Sequence, residues 1–317
     1  MSIANALHLV VAKRTDETGE ILSLDLVDPN GETLPAFEAG AHIDMQVNDG
    51  LIRQYSLCNS PSERHRYRLG ILRAPESRGG SARLHAHLKD GARVAVGRPR
   101  NAFRISEDTT FALLVAGGIG ITPLMSMAHH LHEAGTPFVL HYCVKSRGHG
   151  AFIDELAACA FSHSVKVHFD DGLPEQRLSP SVLSSHPGAD LYLCGPAGFM
   201  DWITSSALAT GFTPARIHSE RFSATSVNGE AFTVEAARSG VIVSVGTQQT
   251  ITDALNAAGI VIPMSCEQGI CGTCLTRVIS GLPEHRDFYQ TNDEKAANTH
   301  MTPCCSRSLS DHLVLDL

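Results

Sequence analysis

No stretch of the chain approaches the roughly 18 uninterrupted apolar residues that a membrane-spanning helix needs. The longest candidate, Phe111 to Met127, is broken by three glycines, a threonine and a proline. The amino terminus, MSIANALHLVVAKR, lacks a basic segment followed by a long apolar run and a small-residue cleavage site, so no secretory signal is expected. Internal repeats and low-complexity tracts are missing too. Nine cysteines do not make a secreted disulfide framework here. Once four are assigned below, Cys58, Cys143, Cys159, Cys194 and Cys305 remain, an odd set scattered along strand-like and helix-like segments. A cytoplasmic location is the expectation.

Nucleic acid is not an expected partner. The net charge is −8. Its sign changes along the chain, with the basic excess concentrated between Arg53 and Arg104, where twelve Lys/Arg face three acids. That run carries no nucleic-acid motif and no repeated aromatic stacking pattern, and the remainder is acidic. It reads as solvated strand faces with one phosphate pocket, or as a surface that docks an acidic domain or partner.

What is present is enough material for two or three domains: 317 residues, 43% of them apolar. The segments LHLVVAKR, ILSLDLVD, HIDMQV, LIRQYSLC, YRLGILR and ARVAVG read as six short strands. Turn signals such as Asn48-Asp49-Gly50 and one helix-like insert, SARLHAHL, separate them, which predicts a small antiparallel β-barrel over 1–105. From 106 to 224 apolar strands alternate with helical periods (FALLVAG, ITPLMSMAHHLHEAG, FVLHYCV, FIDELAACA, VKVHFDD, LYLCG, AGFMDWITSSALATG). Such alternation predicts an α/β domain with a covered parallel sheet. A small polar stretch, 225–231, reads as a linker. In 232–317, AFTVEAARSGVIVSVG reads as a hairpin, ITDALNAAG as a helix ended by Gly259, and LTRVISG and HLVLDL as further strands.

The last of these segments carries the sharpest signal. Cys266-x4-Cys271-x2-Cys274 is followed after 29 residues by Cys304. Four thiolates at these intervals suit a plant-type [2Fe–2S] cluster, three from one loop and a fourth returning from a distant segment. Gly269 and Gly272 allow the loop to turn sharply around an inorganic core. Cys305 could replace Cys304, but the long spacing favours Cys304. No pair of C-x-H motifs suggests a Rieske centre.

Gly117-Gly118-Ile119-Gly120-Ile121-Thr122-Pro123 follows the first strand of the alternating region. Glycines there permit close approach to a pyrophosphate, Thr122 suits the N-cap and Pro123 the first helical position. Cys194-Gly195-Pro196 ends a later parallel strand, at the edge where open α/β sheets bind ligands. In the barrel, Arg53 and Tyr55 share a strand face with Ser56 adjacent, a cation and a ring suited to a flat phosphorylated ligand. Arg78-Gly79-Gly80-Ser81 opens the helical insert, with Ser81 as its expected cap. Together these features suggest a flavin. His129, His130 and His132 share a helix without metal-ligand partners and are expected to face solvent.

With RQYSLCN, SRGGS, AGGIGITP, CGPAGFM, CEQGICGTC and CCSR…LVLDL, the whole chain resembles the phthalate dioxygenase reductase family, which includes reductases of vanillate demethylase type. The resemblance implies FMN in the barrel, a pyridine nucleotide in the middle domain and a β-grasp ferredoxin domain at the end. It implies flavin contacts from Arg53, Tyr55 and Ser56, an FMN phosphate held by Gly80 and Ser81, and Phe222 packed over the flavin. Gly118, Gly120, Thr122, Pro123, Cys194, Gly195 and Pro196 would shape the nucleotide site. Cys266, Cys271, Cys274 and Cys304 would hold the cluster. NADH is the implied donor, but Lys145-Ser146-Arg147-Gly148-His149, after the second parallel strand, lacks the acid common in the family just after the arginine, which leaves room for NADPH. The implied function is reductase component of a Rieske-type oxygenase, acting as a monomer. The alternatives are a redox-sensing or electron-carrying protein, and a stand-alone NAD(P)H:flavin oxidoreductase.

Overall fold

The computed structural model describes the chain except residues 1–2, 4–5, 49–50, 74–79, 187, 223–227, 265–268, 270–271 and 288. It divides into two compact units, Met1–Phe222 and Ser223–Leu317.

The first unit opens with β1 (Leu7–Asp16), β2 (Ile21–Val27), β3 (His42–Asn48), β4 (Leu51–Ser56), β5 (Tyr67–Leu72), α1 (Gly80–His87) and β6 (Arg93–Val96). The strands form one antiparallel sheet in the order β4-β3-β6-β1-β2-β5. A bridge between Leu57 and Leu69 joins its two edges into a nearly closed barrel. Period-two alternation selects the lining: Leu9 and Val11, Leu22, Leu24 and Leu26, Ile43 and Met45, Leu69 and Ile71 all point inward and are buried. Closure leaves few backbone groups on open edges.

The same unit continues with β7 (Ala112–Gly117), α2 (Ile121–Ala134), β8 (Phe138–Val144), α3 (Ile153–Ala158), β9 (Val165–Phe169), α4 (Ser181–Ser184), β10 (Asp190–Cys194), α5 (Ala197–Ala209) and β11 (Ile217–Glu220). Five strands lie parallel in the order β11-β10-β7-β8-β9. Every residue of β7 is buried because both sheet faces are covered. Leu114, Ala116, Tyr142 and Tyr192 pack with Leu124 and Met125 of α2. Leu113, Val115, Leu191 and Leu193 pack with Met200 and Ile203 of α5. The chain leaves β7 toward β8 on one side and returns to β10 on the other, so a crevice opens between the carboxyl ends of β7 and β10.

Barrel and parallel sheet pack closely within this unit. Arg68 of β5 reaches Glu155 of α3 at 2.6 Å and Glu17 at 3.4 Å, and its guanidinium lies 5.1 Å from the Phe152 ring centroid. The hydroxyl of Ser60 donates to Glu133 of α2 at 2.6 Å. Part of the basic run is engaged within the unit: Arg66 pairs with Asp25 and Glu63, Arg100 with Asp44, and Arg104 with Glu38.

The second unit contains β12 (Phe232–Ala236), β13 (Val241–Val245), α6 (Ile251–Ala257), β14 (Thr276–Ser280), β15 (Pro283–Glu284), α7 (Asn292–Ala297), β16 (His300–Met301), β17 (Arg307–Ser308) and β18 (His312–Leu315). Its main sheet runs β13-β12-β18-β14-β16, with β12 and β18 parallel. The Thr250 hydroxyl caps α6 by accepting from the Asp253 amide at 2.9 Å. Ile251 and Leu255 of that helix cover the sheet alongside Val234, Leu313 and Leu315. This arrangement, a mixed sheet wrapped over a helix, is the expected α+β ferredoxin-like architecture.

Candidate functional site

The glycine-rich turn differs from its expected winding. Gly118–Gly120 form a 3₁₀ turn that runs directly into α2, whose N-cap is Gly120. Thr122 is therefore inside the helix, and its hydroxyl donates to the Ile119 carbonyl at 3.0 Å rather than capping. Pro123 lies in the same first turn. Ser81 likewise sits one residue inside α1, which begins at Gly80, and is buried.

Two glycines of the turn have separate jobs. A Cβ on Gly120 would lie 2.3 Å from the Cys194 carbonyl oxygen and 2.7 Å from the Gly195 nitrogen. The absence of a side chain is what lets the turn touch the end of β10. Gly118 has φ +54°, and a Cβ there would meet nothing within 4 Å. It presents backbone to open space, the arrangement a bound pyrophosphate needs. Gly117 and Gly195 are packed under Phe199, and Pro196 is the N-cap of α5.

At the rim of this crevice the barrel contributes Ser56, at the end of β4. Its hydroxyl donates to the Glu220 carboxyl at 3.3 Å, a pairing across 164 positions of sequence. Glu220 is the residue opposite Cys194 in the β10–β11 register. Ser56, Cys194 and Glu220 are all buried. Burial pushes the Glu220 carboxyl up to about 8, against the opposing pull of the Ser56 hydroxyl, so it is protonated at neutral pH. Burial, followed by the neighbouring Glu220, pushes the Cys194 thiol well above its usual range, so it stays a neutral thiol. The cluster of serine, thiol and neutral carboxyl can donate hydrogen bonds without adding negative charge.

The raised Glu220 value carries a stability prediction. Folding keeps a proton that the unfolded chain releases near pH 4.5. The contribution is complete below that pH and is lost as pH climbs to about 8. Thermal unfolding of the whole protein between pH 5 and 9 is expected to show a decline of a few kcal/mol over that span. Glu220→Gln is expected to flatten most of it; an unchanged slope would mean that another group is responsible.

Arg53 and Tyr55 lie on β4 beside Ser56. Desolvation raises the Tyr55 phenol against the pull of Arg53, which keeps it a neutral hydroxyl. Phe222 ends the unit, packed against the core shared by α2 and the sheet. After β8, Arg147 pairs with Asp154 at 2.6 Å, and the Ser146 hydroxyl meets His149 Nδ1 at 2.7 Å. His130 and His132 are exposed, as expected, but His129 is half-buried, edge-on to Phe161 with ring centroids 5.0 Å apart.

In the second unit Cys274 and Cys304 are buried thiols, as is Cys305; Cys266 and Cys271 lie outside the described residues. Gly269 has φ +74°, and a Cβ there would sit 2.4 Å from Cys305 Sγ. Gly272 has φ +69°, and its Cβ would enter the Tyr289 ring at 2.3 Å. Only glycine fits either position. Cys274 and Cys304, buried thiols beside these glycines, are soft donors that fit an iron–sulfur cluster. Arg78 and Gly79 also lie outside the described residues.

Two residues were not anticipated from the sequence. Glu220 lies two residues before Phe222 in His218-Ser219-Glu220-Arg221-Phe222, and an acid closing a strand at the carboxyl edge is a readable signal. Arg307, 1% exposed, closes the CCSR motif, but that motif does not point to the backbone carbonyls it holds.

Comparison with known proteins places these features in context. The chain matches the 2Fe-2S iron-sulfur cluster binding domain model over 234–309 and the oxidoreductase NAD-binding domain model over 114–205. It is 46% identical to a vanillate O-demethylase oxidoreductase of Pseudomonas putida, covering 98% of this chain and 100% of that one. Identity to phthalate dioxygenase reductase of Burkholderia cepacia is 39%, over 98% and 97% of the two chains. A solved phthalate dioxygenase reductase, described as a modular structure for electron transfer from pyridine nucleotides to [2Fe-2S], superposes with a TM-score of 0.78 at 38% identity, over 99% of this chain and 98% of that chain.

Proposed function

The chain belongs to the family of phthalate dioxygenase reductase and vanillate O-demethylase oxidoreductase, and from that premise we propose that it passes electrons from NADH, through FMN and a [2Fe–2S] cluster, to a Rieske-type oxygenase. The observation that most supports this reading is the meeting of Ser56, Cys194 and Glu220 where a barrel strand end reaches the carboxyl edge of the parallel sheet.

When bound, the flavin accepts an electron pair from nicotinamide and releases electrons singly, which is chemistry the protein does not itself supply. Arg53, Tyr55 and Ser56 would hold the isoalloxazine, Gly80 and Ser81 at the start of α1 would take the FMN phosphate, and Phe222 would pack against the flavin. Gly118 offers open backbone to the pyrophosphate, while Gly120, Thr122 and Pro123 seat the turn against β10. Cys194, Gly195 and Pro196 border the nicotinamide. Buried and neutral, Cys194 and Glu220 exclude water and donate hydrogen bonds without repelling a hydride equivalent. Cys266, Cys271, Cys274 and Cys304 hold the cluster.

Arg147, the cation that follows β8, is paired with Asp154 at 2.6 Å, which supports a nucleotide without a 2′-phosphate. NADH is therefore the better donor. Anaerobic addition of NADH to the holoprotein is expected to bleach the flavin and produce the spectrum of a reduced [2Fe–2S] cluster, with NADPH slower. Extracted flavin is expected to be FMN. Reduction of flavin with a permanently oxidised cluster would favour the stand-alone flavin reductase; no reduction by either nucleotide would favour a carrier or sensor.

A further inference from the structure

Strict alternation along β1 would turn Lys13 and Thr15 into the barrel after Leu9 and Val11. The pairing with β2 slips between Val11 and Lys13, where a bulge inserts one extra residue. Arg14 and Asp16 therefore stand opposite Leu24 and Leu22, on the face that carries the barrel lining. An arginine is thereby aimed at the end of the barrel. There α1 lies, with Leu84 and, just past the helix, Leu88 in the barrel core.

Arg14 closes the far end of that helix. Its Nη1 donates to the carbonyls of His85 at 2.7 Å and Leu88 at 2.9 Å. Its Nε and Nη2 donate to Asp16 at 3.3 Å and 2.8 Å, and its amide to Asp90 at 2.7 Å. Carbonyls in the last turn have no partner within a helix, and a cation there also complements the helix dipole. His85 makes a second tie. Its Nε2 lies 2.9 Å from the Ile71 carbonyl of β5, and because a carbonyl only accepts, that nitrogen carries the proton. β5 is the last strand in the sheet order, so the helix supplies a donor at the sheet's edge.

Eight residues make a helix about 12 Å long, too short to persist in water without tertiary contacts. The apolar contacts of Leu84 and Leu88 are non-directional; the directed bonds from Arg14 and to Ile71 set the rotation and tilt. At the other end of the same short rod stands Gly80-Ser81, to which the reading above gives the FMN phosphate.

We propose that Arg14 and His85 are positioning residues for the flavin, fixing α1 from its carboxyl end so that its first turn is ready for a phosphate. The inference rests on the FMN assignment proposed above. Amides already held in place need no ordering when the phosphate arrives, and ordering at the moment of binding costs affinity. FMN affinity therefore depends on an arginine at the opposite end of the helix.

The test uses the full-length protein with its cluster in place, stripped of flavin and titrated with FMN or with riboflavin, which lacks the phosphate. Binding is read from flavin fluorescence. Arg14→Met keeps the aliphatic stem and removes every side-chain donor. Its affinity for FMN is expected to fall about five- to tenfold, as the loss of one or two hydrogen bonds to a helix end implies. Riboflavin affinity is expected to change by less than about twofold, because the contacts that it shares with FMN lie off the helix. Arg14→Lys restores the charge and a donor, and its FMN affinity is expected to fall between those of Arg14→Met and the unaltered protein. His85→Leu removes the other tie and is expected to lose FMN affinity in the same selective way, which keeps the test open if Arg14→Met does not fold. Equal losses for both flavins would mean that the two residues only stabilise the barrel, and unchanged FMN affinity would mean that α1 is set without them; either result overturns the proposal. Riboflavin bound as tightly as FMN by the unaltered protein would overturn it together with the phosphate site itself, and is distinguishable because it appears without any substitution.

Discussion

Replacement of Cys304 by serine is expected to leave a protein with a small fraction of its iron and acid-labile sulfide. In the proposed ligand set three thiolates come from one loop, so the fourth would close the second iron from a separate segment, and a serine oxygen is a poor substitute for a soft thiolate. Cys304 sits in the buried core of the second unit with Cys274, Met301 and Leu313. Loss of the cluster therefore also weakens that core, because metal binding and folding share one free energy. Cys305→Ser is the informative control. The Cys305 sulfur is already engaged by the Thr302 hydroxyl at 3.3 Å and the Thr302 carbonyl at 3.7 Å, and it fills the space beside Gly269. Its loss is expected to cost about 1 kcal/mol of packing and hydrogen bonding while iron content stays near normal. NADH-dependent dye reduction at the flavin should survive both changes, whereas electron delivery to an oxygenase should collapse only with Cys304→Ser. Iron analysis and EPR of the reduced protein decide the matter. Full iron in Cys304→Ser with iron lost in Cys305→Ser would move the fourth ligand to Cys305.

The elements that could be read in advance are those whose information is local. Leu22, Leu24 and Leu26 alternate because β2 has one face in the barrel, and the unbroken apolar run of β7 reflects cover on both faces. The cysteine spacing and the glycine turn are local as well. What escaped notice depends on partners far away in sequence. Glu220 becomes a neutral acid because the pairing of β11 with β10 buries it beside Cys194, against the pull of Ser56, which arrives from another sheet. Arg307 has a surface residue's side chain, and its acceptors are backbone carbonyls that no side-chain pattern announces. Likewise the basic run looked free because Arg66, Arg68 and Arg100 find their carboxylates only after the strands pair. Thr122 misled for a smaller reason: three glycine-turn residues wound early, and the helix began before the residue best suited to cap it.

Gly118 and Gly120 of the glycine turn give the second large effect, on nucleotide affinity at one position and on stability at the other. Gly120→Ala puts a methyl group 2.3 Å from the Cys194 carbonyl oxygen and 2.5 Å from its carbon. Those atoms are backbone at the end of a central strand and cannot swing aside like a side-chain tip. Either β10 or the turn must move, at an expected cost of about 3 kcal/mol or more, toward the upper end for overpacked interiors. Cys194 shifts with it, so the site beside Glu220 opens even in molecules that remain folded. Gly118→Ala meets no atom within 4 Å and pays only for φ +54°, about 1–2 kcal/mol. Its methyl group instead occupies the open side proposed for the pyrophosphate. Gly118→Ala is therefore expected to keep most of its stability while the KM for NADH rises tenfold or more. Gly120→Ala is expected to lose stability first, seen as a lowered urea midpoint. Denaturant unfolding and NADH kinetics on the two variants separate the roles. Equal loss of stability in both, or normal NADH affinity in Gly118→Ala, would show that the turn is a packing element and that the nucleotide lies elsewhere along the sheet edge.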